Sequence, residues 1–246
     1  MNKSIRYSWI QQMFGSQRLL KAIAMLLLVR KRKGTTISHF SYNKLHDITG
    51  MHATTIRKNI DTLKEVGLIM MDKSGALTFR SIISRHSRRN ARLSKIDFSN
   101  IKTIVRSLQA ILFVNIQLRK DYAKRVIRKA HNGRNPKQVK AAQKLSRRYG
   151  WAHDYNEKGL SYEGIAKRMR VCKQTAEKIV NFAVSRKMVQ KFCHYTYTYM
   201  KGIWYHYLEG YTYTTRNYAV KVQANTYEPA KVFVGALVGW LLQAKK

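Results

Sequence analysis

Two segments of the sequence follow the same 29-residue pattern without gaps, and the second begins 120 positions after the first. The first runs from Ser41 to Ile69 and the second from Ser161 to Val189. Their apolar positions coincide, as Ile60 and Val180 illustrate, and four positions are identical. The identical pairs are Ser41 with Ser161, Tyr42 with Tyr162, Thr55 with Thr175, and Lys58 with Lys178. Both segments can therefore bury the same positions, so we expect one structural unit to occur twice in this chain.

Each copy is predicted to contain two helices joined by a tight turn. A serine opens the first helix, because its hydroxyl can accept a hydrogen bond from a free backbone N–H group. Gly50 lies in the turn of the first copy, where glycine tolerates left-handed backbone angles, whereas the second copy has Arg170 there. In the first copy the second helix begins near Ala53, and its apolar residues form one stripe from Ile56 to Leu63.

The first copy continues into two predicted strands. Val66 and Gly67 end the second helix, since a glycine after the last turn stabilises a helix terminus. The segments Leu68 to Met71 and Ala76 to Arg80 then show the composition of strands, with a turn from Asp72 to Gly75 between them. This copy is therefore expected to end in a small β-hairpin.

This order of elements resembles a winged helix-turn-helix, a DNA-binding unit of three helices and a β-hairpin. Leu19 to Val29 would supply the preceding helix in the first copy, and Pro136 to Tyr149 in the second. The resemblance implies that the second helix of each copy lies in the major groove of DNA, with its exposed side chains against the bases. The implied DNA-binding residues are Thr54, Thr55, Arg57 and Lys58 in the first copy, Lys73 in the turn between its strands, and Lys173, Gln174, Thr175 and Lys178 in the second copy.

The charge balance indicates a polyanionic partner. The chain has 48 lysines and arginines against 12 acidic residues, and its net charge of +36 exceeds what solubility requires. Between Arg80 and Arg148 there are 20 basic residues against Asp97 and Asp121. Binding should be steeply salt-dependent, because neutralised phosphates release counterions. Charge alone does not separate the two nucleic acids, so DNA is the expected partner and RNA stays open.

Four arginines between the two copies are predicted to bind phosphates without reading sequence. They are Arg85, Arg88, Arg89 and Arg92. His86, Ser87, Arg88 and Arg89 also match the HxxR pattern of tyrosine recombinases. Only 85 residues precede His86, too few for the arginine that comes before HxxR in that family, so we interpret the match as accidental. Because no catalytic grouping is found in the sequence, we expect neither an enzyme nor a cofactor.

A long helix is predicted between the two copies. From Ser99 to Ala130 apolar residues recur at helical spacing, and Asp97 or Ser99 can cap the start. This helix would be a spine between domains or a seam in a dimer. We therefore expect a mainly α fold with small β wings (α+β), in which the long helix joins two winged-helix modules. The expected divisions are residues 1–84, an N-terminal winged helix; 85–135, a basic linker and the connecting helix; 136–227, a second winged helix with a tyrosine-rich sheet; and 228–246, a C-terminal apolar helix.

Nine tyrosines lie between Tyr195 and Tyr227. Tyr195, Tyr197 and Tyr199 alternate with other residues, which is the periodicity of a strand. Two interpretations of these rings stay open. They form the core of a sheet with their hydroxyls at the surface, or they offer a platform on which unpaired bases stack.

The sequence gives little support to metal or membrane binding. Cys172 and Cys193 are too few for a disulfide framework or a paired-cysteine zinc site, so we expect no metal. The apolar runs Leu19 to Val29 and Val232 to Leu242 have 11 residues each, whereas a membrane-spanning helix needs about 20. We expect no membrane association, and the second run predicts a helix that packs on the chain or forms a homodimer. Because Met1 to Ser16 lacks a signal-peptide layout, we expect a location in the host cytoplasm or nucleoid, with a virion as an alternative.

The tandem arrangement, with a long helix and a basic linker between the copies, is similar to that of the replication initiators of plasmids and phages. Those proteins place two winged helices on successive turns of origin DNA. The expected function is therefore binding of duplex DNA, as a replication initiator or transcriptional regulator of a phage or plasmid. The alternative is a structural protein that coats or condenses nucleic acid nonspecifically, or that is packaged in a virion.

Overall fold

Helices dominate the structure, a computed structural model that describes residues 4–5, 7–84, 91–92, 96–132, 140, 159–193, 195–199, 211–215, 218–222 and 225–229. The helices are α1 (Tyr7–Gly15), α2 (Gln17–Lys33), α3 (Tyr42–Thr49), α4 (Ala53–Glu65), α5 (Ile101–Asn132), α6 (Tyr162–Met169) and α7 (Lys173–Ser185). The strands are β1 (Ser4–Ile5), β2 (Thr36–Ile37), β3 (Ile69–Met71), β4 (Leu77–Phe79), β5 (Ile83–Ser84), β6 (Ala91–Arg92), β7 (Val189–Phe192), β8 (Tyr195–Tyr199), β9 (Tyr211–Thr215), β10 (Tyr218–Val222) and β11 (Thr226–Pro229). These strands form small antiparallel sheets, so the expected α+β class with a helical majority is confirmed.

Helix α2 is the centre of the N-terminal part of the chain. Ser16 caps its start, since the hydroxyl accepts a hydrogen bond from the Leu19 N–H at 3.1 Å. From Leu19 to Val29 every residue except Lys21 is buried, because α1, α3, α4 and α5 all pack against this helix. A helix that is apolar on nearly all sides is stable only in such a position. The prediction of a core helix over this stretch is confirmed.

A three-stranded sheet with the order β2-β4-β3 accompanies α3 and α4. The hairpin predicted after α4 is confirmed, and its register pairs Ile69 with Phe79. Strand β2 joins the other edge of β4, with Thr36 opposite Thr78. The sequence pattern does not predict β2, because a strand of two residues shows no alternation.

Helix α5 lies between the N-terminal and C-terminal helices and confirms the predicted long helix. Every residue from Ser107 to Leu118 is buried, and α2, α7 and β11 all pack against α5. That stretch therefore presents no apolar face to a second copy. It is also the described segment whose length and composition suit a membrane span, from Ile101 to Leu118, with 72% of the window buried in the structure. A buried core helix of a soluble protein can have the same length and hydropathy as a membrane-spanning helix.

The cap of α5 differs from the prediction. Asn100 caps the helix, because its side-chain oxygen accepts a hydrogen bond from the Thr103 N–H at 2.9 Å. Asp97 instead accepts a hydrogen bond from the Ser99 N–H at 3.0 Å, within the turn before the helix. The expectation that Asp97 or Ser99 caps α5 is wrong, since three polar residues near one helix start can all cap it by sequence.

Helices α6 and α7 form a second pair, and α5 contacts both of them, as α2 contacts both α3 and α4. Strand β7 follows α7 and pairs with β11, with Val189 opposite Pro229. The helix predicted from Pro136 to Tyr149 lies outside the described residues except for Lys140, as does most of the predicted C-terminal helix.

The three strands that come between β7 and β11 in the chain form a separate sheet. Its order is β8-β10-β9, and its register places Tyr199 opposite Tyr218 and Tyr195 opposite Val222. The strand predicted from the alternating tyrosines is confirmed as β8. Among the residues that the structure describes, the buried hydrophobic side chains form one cluster, which extends from Ile5 in β1 to Tyr227 in β11. The two copies therefore share a core.

Candidate nucleic-acid interface

The two copies of the sequence pattern have the same local structure. Helices α3 and α6 have 8 residues each, and α4 and α7 have 13 residues each. The Ser41 hydroxyl accepts a hydrogen bond from the Lys44 N–H at 3.2 Å, and the Ser161 hydroxyl accepts one from the Gly164 N–H at 3.0 Å. Both predicted serine caps are confirmed, and they start equivalent helices 120 positions apart.

The turn between the two helices is also the same in both copies. Gly50 has φ 66° and ψ 19°, and Arg170 has φ 54° and ψ 48°, so both residues occupy the left-handed region. Two further residues separate each of them from the next helix. A turn of three residues between helices is typical of a helix-turn-helix. The arginine in the second copy does not change the geometry of the turn.

The chain leaves both second helices by the same path. The Leu68 N–H donates to the Leu63 carbonyl at 2.8 Å, and the Met188 N–H donates to the Ala183 carbonyl at 2.8 Å. The residue before each of these N–H groups is left-handed, with φ 69° at Gly67 and φ 52° at Lys187. This hydrogen bond, from two residues past the cap back across the last turn, belongs to the Schellman motif.

Equivalent positions of the two copies are buried. The buried apolar pairs are Leu45 with Ile165, Ile56 with Ala176, Ile60 with Val180, Leu63 with Ala183, Leu68 with Met188, and Ile69 with Val189. The similarity of the copies is therefore a similarity of packing and backbone, although few residues are identical. It also fixes which side chains of α4 and α7 remain at the surface.

The first turns of α4 expose the four side chains that were singled out from the sequence. Thr54, Thr55, Arg57 and Lys58 are exposed, while Ile56 between them is buried. The Arg57 guanidinium lies over the ring of Tyr42, with 5.3 Å between its central carbon and the ring centroid. A cation over an aromatic face is held by the ring's electrostatic field. The resulting surface combines two hydroxyls with two cations.

The equivalent surface of α7 is less basic. Lys173, Gln174 and Lys178 are exposed, whereas Thr175 is half-buried. The Lys173 ammonium donates to the Glu163 carboxylate at 2.9 Å. This hydrogen bond and ion pair raise the pKa of Lys173 and lower the pKa of Glu163. The cation at the start of α7 is therefore already partnered.

Glu177 is a residue of this surface that the sequence interpretation missed. It is exposed on α7, and it occupies the position that Arg57 occupies in α4, 120 residues earlier. The aligned copies contain this signal. A guanidinium donates two hydrogen bonds to guanine, whereas a carboxylate accepts from the amino group of cytosine. The two helices therefore present opposite chemistry at one equivalent point.

Lys73 lies at the tip of the hairpin between β3 and β4 and is exposed. Asp72 beside it is occupied within the turn, because its carboxylate accepts hydrogen bonds from the Ala76 N–H at 2.8 Å and from the Ser74 hydroxyl at 2.7 Å. These hydrogen bonds, that of Ser74 first, lower the pKa of Asp72. They also fix the turn, so that Lys73 is held at its tip.

The structure describes the backbone of one of the four linker arginines. Arg92 lies in β6, where it pairs with Ser4 of β1. Arg85, Arg88 and Arg89 lie outside the described residues. The phosphate-binding role of all four stays a prediction.

Metal ligands do not cluster in the part of the chain that the structure describes. No group of three or more His, Cys, Asp or Glu residues there is placed to hold an ion. Cys172 and Cys193 are exposed and free. The Cys172 sulfur lies 3.1 Å from the Thr175 hydroxyl, and this hydrogen bond, together with backbone N–H groups, lowers the pKa of the thiol.

No family model, no curated protein and no solved structure matches this chain. The functional interpretation therefore rests on the geometry of the two copies and on the charge of the chain.

Proposed function

We propose that this protein binds duplex DNA through two winged helix-turn-helix units, as a replication initiator or transcriptional regulator of a phage or plasmid. The observation that carries the proposal is the repeated backbone. Two helices of fixed length, a left-handed turn and an identical exit occur twice, and each time the second helix exposes polar side chains in its first turns. A net charge of +36 supports a nucleic-acid partner.

The order of elements supports the winged-helix interpretation of the first unit. Helix α2, strand β2, helices α3 and α4, and the hairpin β3-β4 follow one another in the chain. Strand β2 pairs with β4, and this pairing connects the hairpin to the segment between α2 and α3. In this interpretation α4 enters the major groove, and Lys73 at the hairpin tip reaches the neighbouring backbone.

The second unit supports the same interpretation with an enlarged wing. Strand β7 follows α7 and pairs with β11, and this pair takes the place of a wing hairpin. The sheet of β8, β9 and β10 lies between them in sequence, where the first unit has a turn of a few residues. Helix α5 contacts both helices of this unit, as α2 contacts both α3 and α4 in the first, while the preceding helix expected from Pro136 to Tyr149 lies outside the described residues except for Lys140.

The second candidate function is nonspecific coating or condensation of nucleic acid. It is favoured by the 20 basic residues between Arg80 and Arg148, which suit phosphates regardless of sequence. Such a protein would gain most of its affinity from counterion release. A sequence-reading protein should retain a large affinity ratio after that contribution is screened.

Selection of bound duplexes from a random pool, followed by footprinting, tests the proposal. We expect a recovered motif with two parts, one for each unit. Competition between the recovered duplex and a random duplex, repeated over a series of salt concentrations, should then give a ratio of roughly 10³ or more. If no motif is recovered and the two duplexes bind alike at every salt concentration, the coating function is correct instead.

A further inference from the structure

We infer that the two units form one rigid body, so that they bind a single duplex only at one fixed spacing between the two halves of its site. This inference rests on the proposed function for its partner, a continuous DNA duplex. The rigidity itself is a property of the chain and results from contacts between the units.

The first observation is the shared core. Helix α5 packs on α2 of the first unit and on α7 of the second, and its residues from Ser107 to Leu118 are buried on all sides. Moving one unit away from the other would expose this apolar surface to water, at about 25 cal/mol for each Å². A pair of domains on a flexible tether has no such cost. The shared helix therefore opposes any change in spacing.

Polar contacts, two of them partly buried and one exposed, join the units at the start of α2. The Gln109 amide of α5 donates to the Gln17 side-chain oxygen at 3.3 Å, and the Gln17 amide donates to the Met169 carbonyl at 3.0 Å. The Arg170 guanidinium donates to the Gly15 carbonyl at 3.1 Å. The turn that precedes α7 thus contacts the junction of α1 and α2.

The same end of α2 reaches α4. The Arg18 guanidinium lies 3.5 Å from the Lys58 carbonyl and 4.0 Å from the Glu65 carboxylate. Residues 15 to 18 therefore contact both the turn at the start of α7 and the middle of α4. One turn of chain therefore contacts both α4 and the turn that leads into α7.

A further set of contacts joins the units through the segment before α5. Arg186, which directly follows α7, forms an ion pair with Asp97. Arg32 near the end of α2 donates to the Ser99 carbonyl at 3.3 Å and also to the Ile48 carbonyl of α3. The units are therefore in contact at two separate places, and two separate contacts oppose rotation about either one.

A rigid protein and a flexible one tolerate different spacings between the two half-sites on DNA. A protein with two flexibly joined readers tolerates insertion of a full helical turn between half-sites, because the tether extends and both faces realign. A rigid protein loses one half-site with any insertion, since a full turn restores the face but adds about 34 Å of distance. The two cases differ most at an insertion of about 10 base pairs, one helical turn.

The test is a spacer series on the selected duplex, with insertions of about 5 and about 10 base pairs between its two half-sites. We expect both insertions to lower affinity to that of a single half-site, a loss of roughly 10²-fold or more. Recovered affinity at the full-turn insertion would overturn the inference while leaving the proposed function intact. Failure to bind either half-site preferentially would overturn the proposed function.

A distance measurement within the protein, before and after duplex is added, tests the rigidity directly. Lys64 in the last turn of α4 and Asn181 in α7 are exposed, and neither belongs to the proposed DNA-reading set. Spin labels on Lys64→Cys and Asn181→Cys, in a chain with Cys172→Ser and Cys193→Ser, give the distance between the units. We expect one narrow distance distribution that does not change when duplex is added. A broad distribution, or one that shifts on binding, would overturn the inference.

Discussion

Gly50 and Arg170 have the same left-handed backbone conformation at equivalent turns, although only glycine adopts it without a steric cost. Their φ angles are 66° and 54°. For a residue with a side chain, this conformation costs roughly 1–2 kcal/mol. The second turn retains it because the buried helices on both sides fix its ends, and because the Arg170 guanidinium gains a hydrogen bond to the Gly15 carbonyl. The geometry of the turn is thus set by packing and not by the residue in it.

The first prediction follows from this turn. Gly50→Ala should destabilise the protein by about 1 kcal/mol, because alanine is strained at positive φ. An added Cβ at Gly50 would have no atom within 4 Å, so the effect would come from the backbone alone. The free energy of unfolding, measured by urea titration, checks this.

Gly15→Ala is the matched control. Gly15 ends α1 without a positive φ, and its Cβ would also have no atom within 4 Å. We expect no loss of stability there, since alanine is the better helix former. Equal effects of the two substitutions would show that the left-handed conformation at Gly50 is not a source of strain.

Much of the local structure could be predicted from the sequence, because it depends on patterns within a few residues. The serine caps, the apolar stripe of α4 and the hairpin after it are of this kind. Strand β1 could not be predicted, since Ser4 pairs with Ser84 and Arg92, which are distant in sequence. The capping residue of α5 could not be predicted either, because several neighbouring polar residues could cap the helix.

In the candidate site, too, some features follow from local sequence patterns and others depend on contacts between distant residues. Burial of Ile56 implies that Arg57 and Lys58 are exposed, and the repeat carries this argument to α7. The pairing of Lys173 with Glu163 depends on how α6 and α7 cross, which no local pattern gives. The bond between Gln17 and Met169 spans 152 residues, so the rigid relation of the units is a property of tertiary packing alone.

The second prediction concerns stability at high pH. Burial raises the pKa of Tyr227 to about 12, whereas an unfolded tyrosine has a pKa of about 10. The unfolded state therefore loses this proton first. The stabilising contribution of Tyr227 is complete below pH about 10 and is lost as the pH rises towards about 12.

Tyr227→Phe keeps the ring, which meets Phe113 edge-on at 5.0 Å between centroids, and removes the ionisable hydroxyl. Relative to the parent protein, the variant should gain stability between pH about 10 and 12. Other groups titrate in this range, so the difference in stability between variant and parent, and not the stability of either alone, is compared across the interval. A stability difference that does not change over this interval would show that Tyr227 ionises alike in both states.

The third prediction tests the proposed reading role of α4. Arg57→Ala should lower discrimination between the selected duplex and a duplex changed at one base pair of its first half-site, by roughly 1–3 kcal/mol if the guanidinium pairs with guanine. Competition binding at constant salt measures this. Lys64→Ala, in the last turn of the same helix, removes one positive charge and should leave discrimination unchanged. If both substitutions leave discrimination unchanged and the protein folded, Arg57 does not read bases.

The fourth prediction uses the ion pair at the start of α7. Glu163→Gln should free the Lys173 ammonium for a phosphate, and so raise affinity for every duplex and steepen the slope of log affinity against log salt by up to about 0.9. Glu228→Gln makes the same charge change at an exposed position of β11. A steeper slope in the first variant only would support a DNA contact by Lys173. The same slope in both would assign the effect to net charge.

The last prediction addresses the basic linker between the units. Replacing Arg85, Arg88, Arg89 and Arg92 with glutamine should weaken random and selected duplexes about equally, because phosphates are the same in every sequence. The salt slope should fall by about 0.9 for each lost contact. Unfolding measured beside the titrations controls for the pairing of Arg92 with Ser4 in β1. If the HxxR pattern were catalytic, the quadruple variant would instead lose strand cleavage or joining and would keep its binding to DNA. An unchanged affinity and salt slope in a folded variant would place the phosphate contacts on other basic residues of the chain.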